Sequence, residues 1–502
     1  MTKPICQQLQ SHFYQRFFDP EQLDAERMVA AQAPTPLQQP HWVHRNEPLL
    51  AQLGVSLDDP QLLTVLAGSA APPPLKPFAT VYSGHQFGHW AGQLGDGRAL
   101  GLGELPYRDT ASGSEQWLEV QLKGAGPTPY SRFADGRAVL RSSIREYLCS
   151  EAMHGLGIAT TRALTLVASA TPVQRERSER AAVVCRAARS FLRFGHFEHY
   201  HYSGQPERVA ALADYLIERH FPQWLTLSEQ QRHLNLFSHT VATTATTIAA
   251  WQAVGFAHGV LNTDNMSLLG DTLDYGPFGF LDRYQSGLIC NHSDSSGRYA
   301  FDRQPMIGLW NLNALANAFL SLLPSEALVE QLGSYQQQFE QAYRDNMRAK
   351  LGLPTTASDT QVDSLVGEFL RLLESSGADY SRSMRALALL GSNDEPQLAA
   401  EIGSSWTTSQ WQQWRSDYSE LVGSSALRSA TRRGAMNAVN AKYILRNYLA
   451  EQAIEAAEAG DYQQVKRLFK VLQHPYDEQP EHHRLAAVPP AWAERISVSC
   501  SS

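Results

Sequence analysis

The 502-residue sequence predicts an α+β fold with a strand-bearing N-terminal part and a mostly helical remainder. Two observations predict it. Trp117-Leu-Glu-Val-Gln-Leu-Lys123 alternates apolar and polar residues with the period of a strand, and Asp135–Met153 follows with Leu140, Ile144, Leu148 and Ala152 at the spacing of one helix face. Helical spacing also dominates residues 304–346, where Trp310, Leu312, Leu315, Ala318 and Phe319 are apolar, and most of 358–475.

Bulk properties narrow the function. The net charge is −8 and there is no long basic run, which argues against nucleic acid as partner. No apolar stretch is long enough to span a membrane. Residues 1–20 lack the apolar core of a secretory signal, so the expected compartment is the cytoplasm. Five cysteines, at 6, 149, 185, 290 and 500, are scattered and without a CxxC pair, as in a reducing compartment and unlike a zinc site.

Taken in order, residues 1–75 read as an N-terminal extension with Pro-rich connectors and short helical pieces over 49–66. Tyr82–Glu104 holds seven glycines, a density that signals close backbone approach or positive φ. It matches neither GxxxxGK[ST] nor a clean GxGxxG, so it is a phosphate loop of neither common kind. Arg98 beside Gly95 and Gly97 is its candidate anion contact. Lys123 ends the next strand on its polar face, and Glu146 lies off the apolar stripe of the helix. Asp135-Gly136 is expected to open that helix and to lend its N–H groups to an anion. Residues 163–168 read as a strand and 174–180 as a charged loop. Arg186 and Arg193 follow, suited to phosphate by their planar guanidinium forks. His196, His199 and His201 lie among aromatics and read as packed groups. Helices are expected over 209–219 and 238–255.

The densest chemistry lies in His258-Gly-Val-Leu-Asn-Thr-Asp-Asn-Met266 and Asp274-Tyr-Gly276. Asp264, Asn265 and Asp274 offer the oxygen ligands that Mg2+ prefers. Met266, Leu268, Leu269 and Leu273 fit two short strands turned at Gly270-Asp271. Protein kinases order their phosphoryl-transfer site in this way: an Asp and an Asn, a small hairpin, then Asp-Phe-Gly, with a strand lysine held by a helix glutamate upstream. The corresponding two-lobe division is a 76–170 lobe with the Gly-rich loop, Lys123 and Glu146, a 171–350 lobe with the catalytic and metal motifs, and a 351–502 helical region with a cysteine-bearing tail. Residues 289–298 form a polar loop in the position of an activation segment. Trp406, Trp411 and Trp414 read as core.

Together Tyr82–Glu104, Gln121–Arg162, Arg186–Glu198, His258–Asp282 and the Cys500-Ser-Ser end resemble the selenoprotein O, or YdiU, family over nearly the whole chain. The resemblance implies a kinase-like fold that transfers AMP from ATP to Ser, Thr or Tyr hydroxyls of proteins, with UMP from UTP and Mn2+ as the variant chemistry. It implies that Gly95, Gly97, Arg98, Lys123, Asp135, Gly136, Arg186 and Arg193 contact the nucleotide, with Glu146 orienting Lys123. It further implies that Asp264 accepts the proton and that Asn265 and Asp274 hold Mg2+ or Mn2+, Asp274 also meeting ATP. ATP would lie inverted relative to kinases, its γ-phosphate innermost. Cys290 and Cys500 suggest a reversible disulfide that pins the tail to the 289–298 loop. Two rival readings are a kinase that transfers the γ-phosphate and a catalytically silent nucleotide-binding scaffold.

Overall fold

The computed structural model describes residues 3–22, 27–108, 113 and 115–499. Its sheet-forming part contains β1 (Val29–Ala31), β2 (His41–Arg45), β3 (Phe78–Thr80), β4 (His85–Gln86), β5 (His89–Trp90), β6 (Ala99–Arg108), β7 (Glu115–Lys123), β8 (Ala138–Val139), β9 (Arg162–Gln174) and β10 (Ser178–Ala188). The main sheet runs β1-β3-β6-β7-β10-β9-β2, with β8 paired to β10, and β4 pairs with β5 apart from it. Every pairing is antiparallel. Residues 1–75 supply both outer strands, β1 at one edge and β2 at the other.

Register sets up the site. Gln121 lies opposite Gly101 on one side and Arg186 on the other, and Lys123 lies opposite Ala99 and Val184. Opposed residues share a face, as do residues two apart on a strand. So Glu119, Gln121, Lys123 and Arg186 project from one side of the sheet. The alternation of β7 does separate apolar from polar residues, but this second face is not solvated: Gln121 and Arg186 are almost fully buried.

The helix Leu140–Gly155 packs on β9 and β10 with the expected stripe buried. It begins later than the sequence suggests. Gly136 has φ +65°, and Ala138–Val139 are spent on β8 before the helix starts. Asp135-Gly136 therefore sits in a loop ahead of the helix, and the helix-dipole role expected for it is lost. The charged loop shrinks to a tight turn between β9 and β10. A 26-residue helix, Glu229–Val254, ends at Gly255 in the left-handed conformation that suits a C-terminal cap, and delivers the chain to His258. Apart from an antiparallel pairing of Phe256–Ala257 with Gly279–Phe280, the regular structure of the remainder is helical. Trp411, Trp414, Tyr418 and Phe369 centre a second apolar cluster, with Trp406 at its side. Trp414 donates its indole N–H to Leu365 O at 3.0 Å. Among the described residues no helix is long and apolar enough to cross a membrane.

Candidate nucleotide site

A cavity of about 490 Å³ lies between the polar face of the sheet and the 258–277 segment. Its inner end is ionic. Lys123 Nζ lies 2.6 Å from Glu146 Oε2 and 2.7 Å from Asp274 Oδ1. Arg186 Nη1 joins the same two carboxylates, at 2.9 Å to Glu146 Oε1 and 2.6 Å to Asp274 Oδ1. Gln121 Oε1 accepts from two further nitrogens of that guanidinium. Arg193 Nη1 reaches Asp274 Oδ2 at 2.9 Å and the backbone oxygen of Asp264 at 2.9 Å. Three cations thus meet two carboxylates in direct ion pairs, and the buried Asp96 and Asp264 carboxyls also feel Arg193. Burial works to raise the Asp274 carboxyl, but Arg186, Lys123 and Arg193 outweigh it and hold the group well below the usual carboxylate range.

Asp264 and Asn265 lie on a short turn, Thr263–Asn265, after the long helix. The hairpin expected after it contracts to one bridge, Met266 to Thr272, because its strands find other partners: Ser267 bridges Arg193 and Thr272 bridges Thr160. Asp264 Oδ2 accepts from Gln86 Nε2 at 3.2 Å, whereas Oδ1 is buried with no hydrogen-bond partner. Burial raises the Asp264 carboxyl to about 6, against the pull of Arg193 and Gln86. A carboxylate with one unused oxygen and an elevated pKa is suited to take up a proton.

The outer cavity is lined by the remaining expected residues. Gly95 has φ +135°, and a Cβ there would lie 2.6 Å from the Tyr130 ring; at Gly97 it would lie 2.9 Å from Tyr130 O. Arg98 is exposed at the rim. Asp135 is exposed and bound at both oxygens by Arg175, at 2.8 and 2.9 Å, and Arg175 leads the influences that hold its carboxyl below the usual range. Every residue expected at the nucleotide lines this cavity except Glu146, which stands behind Lys123. The sequence reading missed four groups: Gln121, Gln86, Asp96 and Arg175. Gln121 had a signal, since it shares the period-two face of Lys123. Asp96 is buried between two of the glycines, where Thr80 donates to it from both N and Oγ1.

The histidines are packed as expected: His196 Nε2 meets Thr80 Oγ1 at 3.0 Å and His199 Nδ1 meets Ser83 Oγ at 2.8 Å. Among the described residues no three His, Cys, Asp or Glu side chains converge as a metal site. The set at the cleft nevertheless fits Mg2+, which takes one or two carboxylates and completes its shell with phosphate and water. Asp274 Oδ2 has one direct ion-pair partner, and Asn265 spends its amide N–H on Val260 O at 2.8 Å, leaving its oxygen as the ligand atom. Cys290 Sγ donates to Pro277 O at 2.9 Å, directly behind this segment. Val498 lies beside the same loop, His292 N donating to Val498 O at 2.8 Å. Cys500 lies outside the described residues.

A family profile described as protein adenylyltransferase SelO matches residues 12–473. The chain belongs to the SelO family. It is 49% identical over 471 residues to the protein nucleotidyltransferase YdiU of Pectobacterium atrosepticum, covering 93% of this chain and 95% of that one. It is 47% identical over 473 residues to the protein of the same name in Yersinia pseudotuberculosis, covering 93% and 95%. A third such relative, from Aeromonas hydrophila, is 49% identical over 471 residues, 94% of this chain and 96% of its own. As a SelO protein the chain is a nucleotidyltransferase that moves AMP to protein, and ATP as the donor fits that family.

Proposed function

We propose that ATP enters the cleft triphosphate first, with Lys123, Arg186 and Arg193 gripping the innermost phosphates. The observation that carries this reading is the cluster of three cations at the buried end, where a kinase-like adenine pocket would instead be apolar. Glu146 and Gln121 hold Lys123 and Arg186 in place for the anion. Arg98 at the rim is a further phosphate contact, and adenosine then lies toward Gly95, Gly97 and the Asp135-Gly136 loop. Because that end is open and exposed, base selection is expected to be loose, which favours UTP as a second donor.

Asn265 and Asp274 would hold Mg2+ or Mn2+. When bound, the ion neutralises charge that develops on the phosphates. The acceptor hydroxyl, from a Ser, Thr or Tyr side chain, gives its proton to Asp264 Oδ1. Its oxygen bonds to the α-phosphorus, and the bond from that phosphorus to the bridging oxygen breaks, releasing pyrophosphate. Positioning and fixed charge supply most of the acceleration. The two-lobe, kinase-like reading of the fold rests on the same order of Lys123, Glu146, Asp264, Asn265 and Asp274. The tail beside the 289–298 loop is read as a redox strap through Cys290 and Cys500; peptide mapping of the oxidised, non-reduced protein that finds no such linkage removes it.

The test uses ATP labelled at either the α- or the γ-phosphate, a protein acceptor, and Mg2+ or Mn2+. Label retained from the α-position alone is expected. Label from the γ-position alone makes the protein a kinase and undoes the inverted placement. Bound ATP with no transfer from either position makes it a scaffold.

A further inference from the structure

The β4–β5 hairpin is fastened to the catalytic turn at three points. His85 N donates to Thr263 Oγ1 at 2.7 Å, Gln86 Nε2 to Asp264 Oδ2 at 3.2 Å, and Phe87 N to Asn262 Oδ1 at 3.3 Å. Gly84, just before it, lies so close that a Cβ would be 3.1 Å from Asp264 Oδ1. The outer strand faces away from these bonds. Trp90 stands opposite His85 and is 40% exposed; Tyr202, 49% exposed, meets it with ring centroids 4.3 Å apart. Among the described residues these are the only two exposed aromatic rings in contact with each other. The pair is held firmly from beneath. His85 Nδ1 lies 2.5 Å from Oε1 of the fully buried Glu198, and its ring meets Trp310 edge-on at 5.3 Å. Arg298 stacks over Trp310 at 4.6 Å.

We infer that Trp90 and Tyr202 form the acceptor platform: they receive an apolar or aromatic side chain of the polypeptide whose hydroxyl is modified. This rests on Asp264 as the proton acceptor. Continuity identifies the occupant. A protein hydroxyl must reach Asp264, and the hairpin that fixes Asp264 also presents the rings, so a chain crossing the site meets both. The received side chain then lies at one fixed offset along the extended chain from the hydroxyl, each residue advancing about 3.3 Å. Rigid, exposed Trp and Tyr rings are the side chains that give most binding energy at protein interfaces for least ordering cost.

The experiment presents the full-length enzyme with α-labelled ATP and peptides that carry a central Ser, Thr or Tyr flanked by randomised positions. The wild type is expected to select an apolar or aromatic residue at one fixed position relative to the hydroxyl. For that peptide against its alanine counterpart, the wild-type kcat/KM ratio should be about tenfold or more, falling toward one in Trp90→Ala and Tyr202→Ala and surviving in Trp90→Phe. The Kd for a non-hydrolysable ATP analogue should not move. No flanking selection in the wild type, or full selection in both alanine variants, overturns the platform and leaves Asp264 in place. Alanine variants that change only the oligomeric state assign the rings to a second copy of the chain and overturn it as well. Full transfer by Asp264→Asn on the same peptides overturns the reading beneath.

Discussion

Two interiors of this molecule are built from opposite materials. Around Asp274 the buried side chains joined by ion pairs and hydrogen bonds are Lys123, Arg186, Arg193, Glu146 and Gln121, all charged or polar. Around Trp414 they are Phe369, Trp411, Tyr418 and their apolar neighbours. Burying ions costs more in desolvation than their attraction reliably returns, whereas burying aromatic rings is favourable outright. The ionic interior is thus weak evidence for stability and points to a ligand that engages its cations. The aromatic interior is the reverse. Substitutions should separate the two.

The largest effect is expected from Asp274→Ala. It removes the group that ties three cations together, and transfer should be abolished; transfer at the wild-type rate would break the contrast at its centre. Next, Asp264→Asn should slow transfer by about 10²–10⁴-fold with little change in nucleotide affinity, read by single-turnover kinetics. The same variant sharpens the comparison through pH. Because the folded carboxyl is raised from 3.8 to about 6, its contribution to stability is intact below pH 3.8 and is lost as pH rises through about 6. Asn escapes that loss, so in chelator-treated protein it should unfold later than wild type above pH 6 and no later below pH 4. Trp414→Ala should destabilise by about 3–5 kcal/mol in denaturant titration, while the rate per folded molecule stays near wild type. The smallest effect belongs to Arg344→Ala, which breaks ion pairs to Asp359 and Asp363, both more than half exposed. Less than about 1 kcal/mol is expected, with no change in transfer.

The parts that could be read from the sequence were those with a short-range signature. The period-two pattern of 117–123 put Lys123, and silently Gln121, on the site face, and the order of Asp264, Asn265 and Asp274 gave the cleft its opposite wall. Gln86 and Arg175 escaped notice because each meets its partner only through the fold: Gln86 lies 178 residues from Asp264, and Arg175 lies 40 from Asp135. Asp135 was misplaced for a local reason. A positive φ at Gly136 and the two residues of β8 delay the helix, and neither is marked by hydrophobic period. The hairpin after Asp264 was overread, since its residues bridge Arg193 and Thr160 as well as each other.

The two outer strands of the sheet also impose an order of events on biosynthesis. β1 and β2 leave the ribosome first, yet β2 must wait for β9, more than a hundred residues downstream. At about 5–20 residues per second that is on the order of ten seconds. During that interval His41–Arg45 is a nascent strand without a ladder, and the sheet gains its last edge only after most of its interior has been synthesised. Slowing translation between residues 45 and 162 should therefore lengthen the time for which this segment is open to chaperones and to pairing with another nascent chain.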